Sequence, residues 1–280
     1  MPSLTDLVRV IPPDKDEDPE DIFAFAPGLI FTDDLRNLHG DPDSVVVYQS
    51  KRFGSIELRT ADPEGETERR LFSHYVWNAS IKLAELVSSD DVAWHVEGET
   101  VLELGAGAAL SGIVAVLAGA KGVVISDYPS SVVLSNIRRN TDKALPGEFQ
   151  SRCSIQGHAW GEFDGAASKQ MHCFTRILAA DCYWMPSEHR NLVRSMLHFL
   201  TLDPAGRVLA VAGFHTGRAK LAAFLECAVE EGLEIEDIYE EDDEGFRREW
   251  AKERDGGRED HATRKKWLVV ARLKRRHPAL

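Results

Sequence analysis

From about residue 100 onward, short apolar runs alternate with amphipathic stretches. Val101-Leu102-Glu103-Leu104 reads as a strand, after which Leu110, Ile113, Val114 and Leu117 recur at helical spacing and Gly119 and Gly122 punctuate the exit. Gly122–Ser126 predicts a second strand, and Pro129 suits the first turn of a helix carrying Val133, Leu134 and Ile137. A weaker strand at Ser154–His158 and another at Arg176–Ala180 follow. Pro186 opens a helix bearing Leu192, Val193, Met196, Leu197 and Leu200, and Arg207–Val211 is the next strand. Leu221, Phe224, Leu225 and Val229 mark a further helix, ended by Gly232. Two final strands are predicted at Leu233–Tyr239 and Trp267–Leu273, separated by a highly charged span, 240–266, read as a long loop or helix.

Strands alternating with helices imply right-handed βαβ units and a mainly parallel sheet. The pattern predicts a Rossmann-like α/β domain over residues 100–280. No well-patterned crossover helix joins the last two strands, so the final one is expected to be antiparallel, at the sheet edge. Residues 22–99 are expected to form an extension packed on that domain. It holds a β-hairpin, Val45–Tyr48 and Ser55–Arg59 turning near Phe53-Gly54, and a helix from about Leu71 to Ser88. Residues 1–21 are polar and proline-bearing, with an acidic run at 14–18, and are expected to be a mobile tail.

The chain has 280 residues, 43% of them hydrophobic, enough for one α/β domain with an extension. It lacks a run of about 18 apolar residues and a basic-then-apolar leader, so neither a membrane span nor secretion is expected. The formal net charge of −13 argues against nucleic acid as partner and suits a cationic substrate. The basic positions Lys265-Lys266 and Lys274-Arg275-Arg276 read as a solvated strand end and tail. Cys153, Cys173, Cys182 and Cys227 form no C-x-x-C pair and no His/Cys cluster has zinc spacing, so no metal is expected and the thiols fit a reducing, cytoplasmic setting.

The strongest chemical signal is Glu103-Leu104-Gly105-Ala106-Gly107, where a strand turns into a helix. Glycines there let the backbone approach a ligand closely. The third glycine of the dinucleotide fingerprint is absent, and an acid precedes the first. Such an acid repels a diphosphate but can face an ammonium, and S-adenosylmethionine carries an ammonium, a sulfonium and no phosphate. A purely structural glycine turn is the alternative. Asp127, after the second strand, is spaced to reach ribose hydroxyls, in an S-adenosylmethionine or an NAD site alike; capping the helix before Pro129 is its other reading. Trp160, after the third strand, can cover an adenine or be a rim aromatic. Asp181-Cys182-Tyr183-Trp184 ends the fourth strand, where Asp181 can orient or deprotonate an amine and Tyr183 or Trp184 can wall an acceptor site. A structural cap is the competing role for Asp181, and Glu188-His189 reads as a capping pair. There is no Gly-x-Ser-x-Gly elbow and no Walker loop.

His74-Tyr75-Val76-Trp77-Asn78-Ala79, the glycine motif, Asp127-Tyr128-Pro129, Trp160-Gly161 and Ser187-Glu188-His189 together resemble methyltransferase family 16, the seven-β-strand lysine-methyltransferase-like group. The likeness spans about residues 70–190 and is softer to the C-terminus through Arg264–Val270. It is nearest to the fungal branch labelled nicotinamide N-methyltransferase-like, which includes the enzyme acting on the N-terminus and a nearby lysine of elongation factor 1-alpha. The resemblance implies a Rossmann-like seven-stranded class I methyltransferase sheet. It implies that Trp77, Glu103, Gly105, Asp127 and Trp160 line a pocket for S-adenosylmethionine, to which Ala106, Gly107, Tyr128 and Ala180 are added from the same segments. It puts Asp181 in the motif after strand four, where relatives read Asp-x-x-Tyr or Asp-x-x-Phe; Trp184 stands here instead. The expected activity is N-methylation of a protein amine, with a small-molecule amine, or a cofactor-binding module without turnover, as alternatives.

Overall fold

The computed structural model describes residues 3–12, 38–40, 44–61 and 75–277. Its centre is an eight-stranded sheet in the order β12-β11-β13-β10-β9-β6-β7-β8. These strands are β6 (Thr100–Leu104), β7 (Gly122–Asp127), β8 (Cys153–Gly157), β9 (Arg176–Ala180), β10 (Arg207–Gly213), β11 (Leu233–Asp242), the short β12 (Arg247–Glu249) and β13 (Trp267–Arg275). The run from β8 to β10 is parallel. The helices are α1 (Asn78–Val87), α2 (Leu110–Leu117), α3 (Ser131–Ala144), α4 (His189–Phe199), α5 (Arg218–Glu231) and α6 (His261–Lys265), with short helical turns elsewhere.

Both faces of the sheet are covered, which explains why its strands read as near-continuous apolar runs. Val101, Leu178, Leu209, Val211 and Val270 pack with α1, α2 and α3 in one layer. Leu102, Leu104, Ile177, Ala179, Val208 and Ala210 pack with α4 and α5 in the other. Among the described residues, no helix is long and apolar enough to cross a membrane.

The last strand is antiparallel, as expected, but it is not at the edge. β13 lies between β10 and β11 and is antiparallel to both. Val269, Val270 and Ala271 are buried, whereas β11 mixes buried with exposed acidic positions. A strand apolar on both faces leaves less apolar surface in water inside a sheet than at its rim, and the charged strand takes the outer position. The charged span before β13 contains β12, a 3₁₀ turn and α6 rather than one long element.

Ahead of the main sheet, β3 (Val45–Ser50) and β4 (Gly54–Arg59) form the expected hairpin. Residues 3–12 depart from the expected mobile tail. A 3₁₀ turn, Leu4–Leu7, leads into β1 (Val8–Ile11), which pairs antiparallel with β3. Leu4 and Leu7 are buried, and the Leu4 N–H donates to the Asp243 carbonyl at 2.9 Å, so the segment joins the core and the main sheet. Residues 13–21 of that expectation lie outside the described residues, as do 71–74 of the expected leading helix. Val76-Trp77 is not helical: it forms β5, paired with β2 (Leu38–His39).

Hairpin and main domain are joined by two asparagines of α3. Asn136 donates to the Arg59 carbonyl at 2.8 Å. Asn140 accepts the Arg59 N–H at 2.8 Å and donates to the Arg59 carbonyl at 2.9 Å and the Ala108 carbonyl at 3.0 Å. The second contact reaches the turn between β6 and α2.

Candidate active site

Strand order reverses between β6 and β9, and the crevice outside the carboxyl ends at such a point is where doubly wound sheets bind ligands. A cavity of about 490 Å³ opens there, inside the range of about 300–1,000 Å³ typical of small-molecule sites.

One wall is the turn from β6 into α2. Gly105 and Gly107 have φ of +66° and +55°, a region open to glycine and strained for other residues. Space at Gly105 is equally restrictive, since a Cβ there would stand 2.8 Å from Cys182 Sγ and 3.1 Å from Trp160 Cζ2. Asp127, at the end of β7, clips this turn: Oδ2 accepts the Gly107 N–H and Oδ1 the Tyr128 N–H, each at 2.7 Å. Burial raises the Asp127 pKa and those two bonds oppose the rise. Each carboxylate oxygen retains capacity for a further donor.

Trp160 is held over the glycine turn by a small network. Ser195 Oγ accepts the Gly161 N–H at 2.9 Å and meets His158 Nε2 at 2.9 Å. Burial, with His198 second, pushes the His158 pKa down to about 4. The neutral ring shares one hydrogen bond with the serine hydroxyl, whose oxygen also accepts from Gly161.

At the end of β9, Asp181 is buried and has φ +57°. Its Oδ1 accepts the Gly213 N–H at 3.1 Å. Burial raises its pKa, opposed by His215 and by the Gly213 bond. The cavity thus has Asp127, Glu162, Asp181 and Glu188 in its lining and no Lys or Arg among its described lining residues. Such a lining attracts cations and gives a diphosphate no counter-charge.

The lysine methyltransferase family matches residues 64–226, more than half of the chain. The chain belongs to that family. It is 33% identical over 203 residues to the protein N-terminal and lysine N-methyltransferase of Schizosaccharomyces pombe, covering 66% of this chain and 77% of that one. The protein of the same name from Eremothecium gossypii is 32% identical, with 71% and 82% covered. In fold the chain is similar to a solved Streptococcus mutans structure assigned to the S-adenosylmethionine-dependent methyltransferases: TM-score 0.52, 11% identity, 84% of this chain and 57% of that one.

In this member of the lysine methyltransferase family the cavity brings together most of the residues expected from sequence. Trp77, Gly105, Ala106 and Gly107 line it, with Asp127, Tyr128, Trp160 and Ala180, and Asp181 and Trp184 stand at the end of β9. Two residues are elsewhere. Glu103 is 2% exposed and faces α2, where Oε2 accepts the Gly112 N–H at 3.0 Å. Burial pushes its pKa up to about 8, the Gly112 bond only partly offsetting this. β6 alternates Val101 and Glu103 toward α2 with Leu102 and Leu104 toward the opposite layer, so Glu103 lies under the helix and not in the crevice. Tyr183 is also a correction. It is buried and stacks on Phe224 of α5, ring centroids 3.7 Å apart. The left-handed turn at Asp181 sends Tyr183 into the core and leaves Trp184 on the cavity side. His189 supports the same turn, its Nε2 2.8 Å from the Tyr183 carbonyl, while Glu188 accepts from Asn191 Nδ2 at 2.9 Å.

Tyr75 and Met185 also line the cavity, and His215 stacks on Trp77 with centroids 4.7 Å apart. Met185 directly follows Trp184 in the stretch expected on the acceptor side and Tyr75 stands in the His74–Ala79 motif, but His215 was not singled out from sequence. His215 had a readable signal: it follows the carboxyl end of β10, a parallel strand beside the crevice.

Proposed function

We propose that the chain transfers the methyl group of S-adenosylmethionine to a protein amine, either a lysine side chain or an N-terminal amine. The observation that carries this reading is a cavity at the strand-order reversal, with four carboxylates and no Lys or Arg among its described lining residues, in a member of the lysine methyltransferase family. The names of the Schizosaccharomyces and Eremothecium relatives supply both acceptor classes. Elongation factor 1-alpha is the first substrate to test, since the resemblance to the fungal branch points to it.

The lining fits a cationic, phosphate-free cofactor, which when bound supplies an electrophilic methyl group on a sulfonium. In this reading Asp127 receives ribose hydroxyls on the lone pairs left by Gly107 and Tyr128. Trp160 covers the adenine, and the Gly105–Gly107 backbone allows close approach. Asp181 and Trp184 receive the acceptor. Its nitrogen must be neutral to attack, and a lysine amine has a pKa of about 10.4 in water. Partial desolvation against the Trp77 and Trp184 rings favours the free base. Alignment then does most of the catalytic work, up to roughly 7–11 kcal/mol in the best intramolecular cases. Residues 100–280 are the cofactor-binding unit, with the N-terminal strands packed on it.

Calorimetry tests the cofactor half. Asp127→Ala should raise the dissociation constant for S-adenosylmethionine at least about tenfold, or roughly 1.4 kcal/mol; unchanged affinity, or a preference for NAD, refutes it. Labelled S-adenosylmethionine with fungal cell extract and with purified elongation factor 1-alpha tests the acceptor half, with mass spectrometry of the product. Label confined to small molecules would replace the protein acceptor by a small amine. Binding without transfer would leave a cofactor-binding module.

A further inference from the structure

His215 is half-buried beside the cavity and has an unused, buried polar atom. Its imidazole lies on the Trp77 indole, centroids 4.7 Å apart and planes 23° from parallel. Nδ1 is inaccessible to solvent and makes no hydrogen bond among the described residues. The group it faces is Asp181 Oδ1, at 3.7 Å. That is longer than a hydrogen bond, and catalytic contacts often tighten only when a site is loaded. Oδ1 already accepts the Gly213 N–H.

The turn bearing His215, Phe214–Thr216, is anchored from behind. Phe214 is fully buried, and the Arg218 guanidinium lies 4.3 Å from its ring centroid. Arg218 in turn binds Glu240 and Glu259, and α6 packs on the turn. A side chain fixed this firmly, with a buried nitrogen aimed at a cavity carboxylate, is organised to hold that carboxylate. Left without a partner, a buried imidazole nitrogen is unfavourable, which favours completing the contact.

We propose that His215 is a positioning residue for the methyl acceptor: its Nδ1–H and the Gly213 N–H hold one oxygen of Asp181 and leave the other to receive an alkylammonium or amine N–H. The inference rests on the amine-methylation reading and adds what selects an amine. Both donors act on Oδ1, so the negative end of the carboxylate is fixed in direction. A hydroxyl or a thiol acceptor offers no cation to that oxygen. Trp77 links the two halves of the cavity, because the indole that carries His215 also lines the cofactor pocket.

The test uses the full chain, S-adenosylhomocysteine to fill the cofactor half, and n-butylammonium as a lysine-side-chain probe, with n-butanol as its neutral counterpart. Binding is followed by NMR in wild type, His215→Phe and His215→Asn. Phenylalanine keeps the stacking on Trp77 and removes the donor, whereas asparagine restores an N–H near the position of Nδ1. Butylammonium should bind more tightly than butanol. His215→Phe should weaken butylammonium at least about tenfold and His215→Asn by no more than about threefold, with S-adenosylhomocysteine affinity retained in both. Nitrogen-15 spectra should show the proton on Nδ1 in wild type, and Asp181→Asn should shift that signal. Equal butylammonium affinity in wild type and His215→Phe overturns the role of His215, as does a proton found only on Nε2. Failure of wild type to bind S-adenosylhomocysteine would instead overturn the cofactor reading and the inference with it. If His215→Phe does not fold, His215→Leu and the nitrogen-15 result decide the matter.

Discussion

Gly105→Ala puts a methyl group where the site is tightest. Two separate effects oppose it. Gly105 sits at φ +66°, and a left-handed backbone at a non-glycine residue costs about 1–2 kcal/mol. The added Cβ would also stand 2.8 Å from Cys182 Sγ and 3.1 Å from Trp160 Cζ2. Cys182 is buried with its sulfur 3.2 Å from the Leu104 carbonyl and 3.4 Å from the Ala180 carbonyl, so it has little room to move and Trp160 is displaced instead. Overpacking of this kind costs about 1–3 kcal/mol. Together the substitution should destabilise the fold by about 2–5 kcal/mol and reduce S-adenosylhomocysteine affinity through the shifted indole. Urea unfolding followed by tryptophan fluorescence reads the first effect as a lower midpoint at unchanged slope. Cys182→Ala separates the two, because it removes the nearest atom and leaves the backbone angle as it was. In that background the added methyl keeps the backbone share and the 3.1 Å approach to Trp160 but loses the closest clash, so it should cost less, with a coupling of about 1 kcal/mol or more between the two sites. Equal destabilisation by Gly105→Ala in both backgrounds would refute the packing argument, and no destabilisation at all would refute the account of the turn.

Glu103 has a folded pKa of about 8 against 4.5 for a free side chain, so between those values the native state binds more protons than the unfolded one. Stability should therefore fall as pH rises through that window, on the order of 1 kcal/mol per pH unit; urea midpoints of Glu103→Gln should lose this slope relative to wild type. Asn140→Ala leaves the Arg59 N–H and the Ala108 carbonyl without their side-chain partner and the Arg59 carbonyl with Asn136 alone, and should destabilise by about 1–3 kcal/mol with faster hydrogen exchange at the Arg59 amide. Arg218→Met removes one of the arginines paired with Glu240, which is 0% exposed and keeps Arg248 and Arg254. Thermal melting should register a loss of about 1–3 kcal/mol, because the buried carboxylate is still paired.

The order of strands and helices from residue 100 was legible because each element repeats its apolar positions at its own period. The glycine turn and Asp127 were legible because they lie at the ends of readable strands. Side was harder. β6 is buried on both faces, so no polar alternation tells which layer Glu103 enters, and an acid is apt to be read as facing a ligand. Tyr183 and Trp184 are adjacent aromatics after a left-handed Asp181, and only the turn itself decides which one enters the core. β13 carries its apolar pattern openly, but its neighbours are a matter of long-range pairing. The same holds for β1, whose partner β3 begins 34 residues after β1 ends (45 − 11).

The insertion of β13 between β10 and β11 also bears on how the chain is made. Chains fold as they are synthesised, N-terminal parts first. β13 emerges after every other strand of the sheet, yet it fills an interior position. Until then β10 shows a bare row of backbone donors and acceptors, and β11 has no strand to join it to the rest. Exposed edges of that kind template pairing with other chains. The nascent protein thus carries an open seam through its middle that only its final strand closes, and truncations within Trp267–Arg275 should release an aggregation-prone chain rather than a trimmed enzyme.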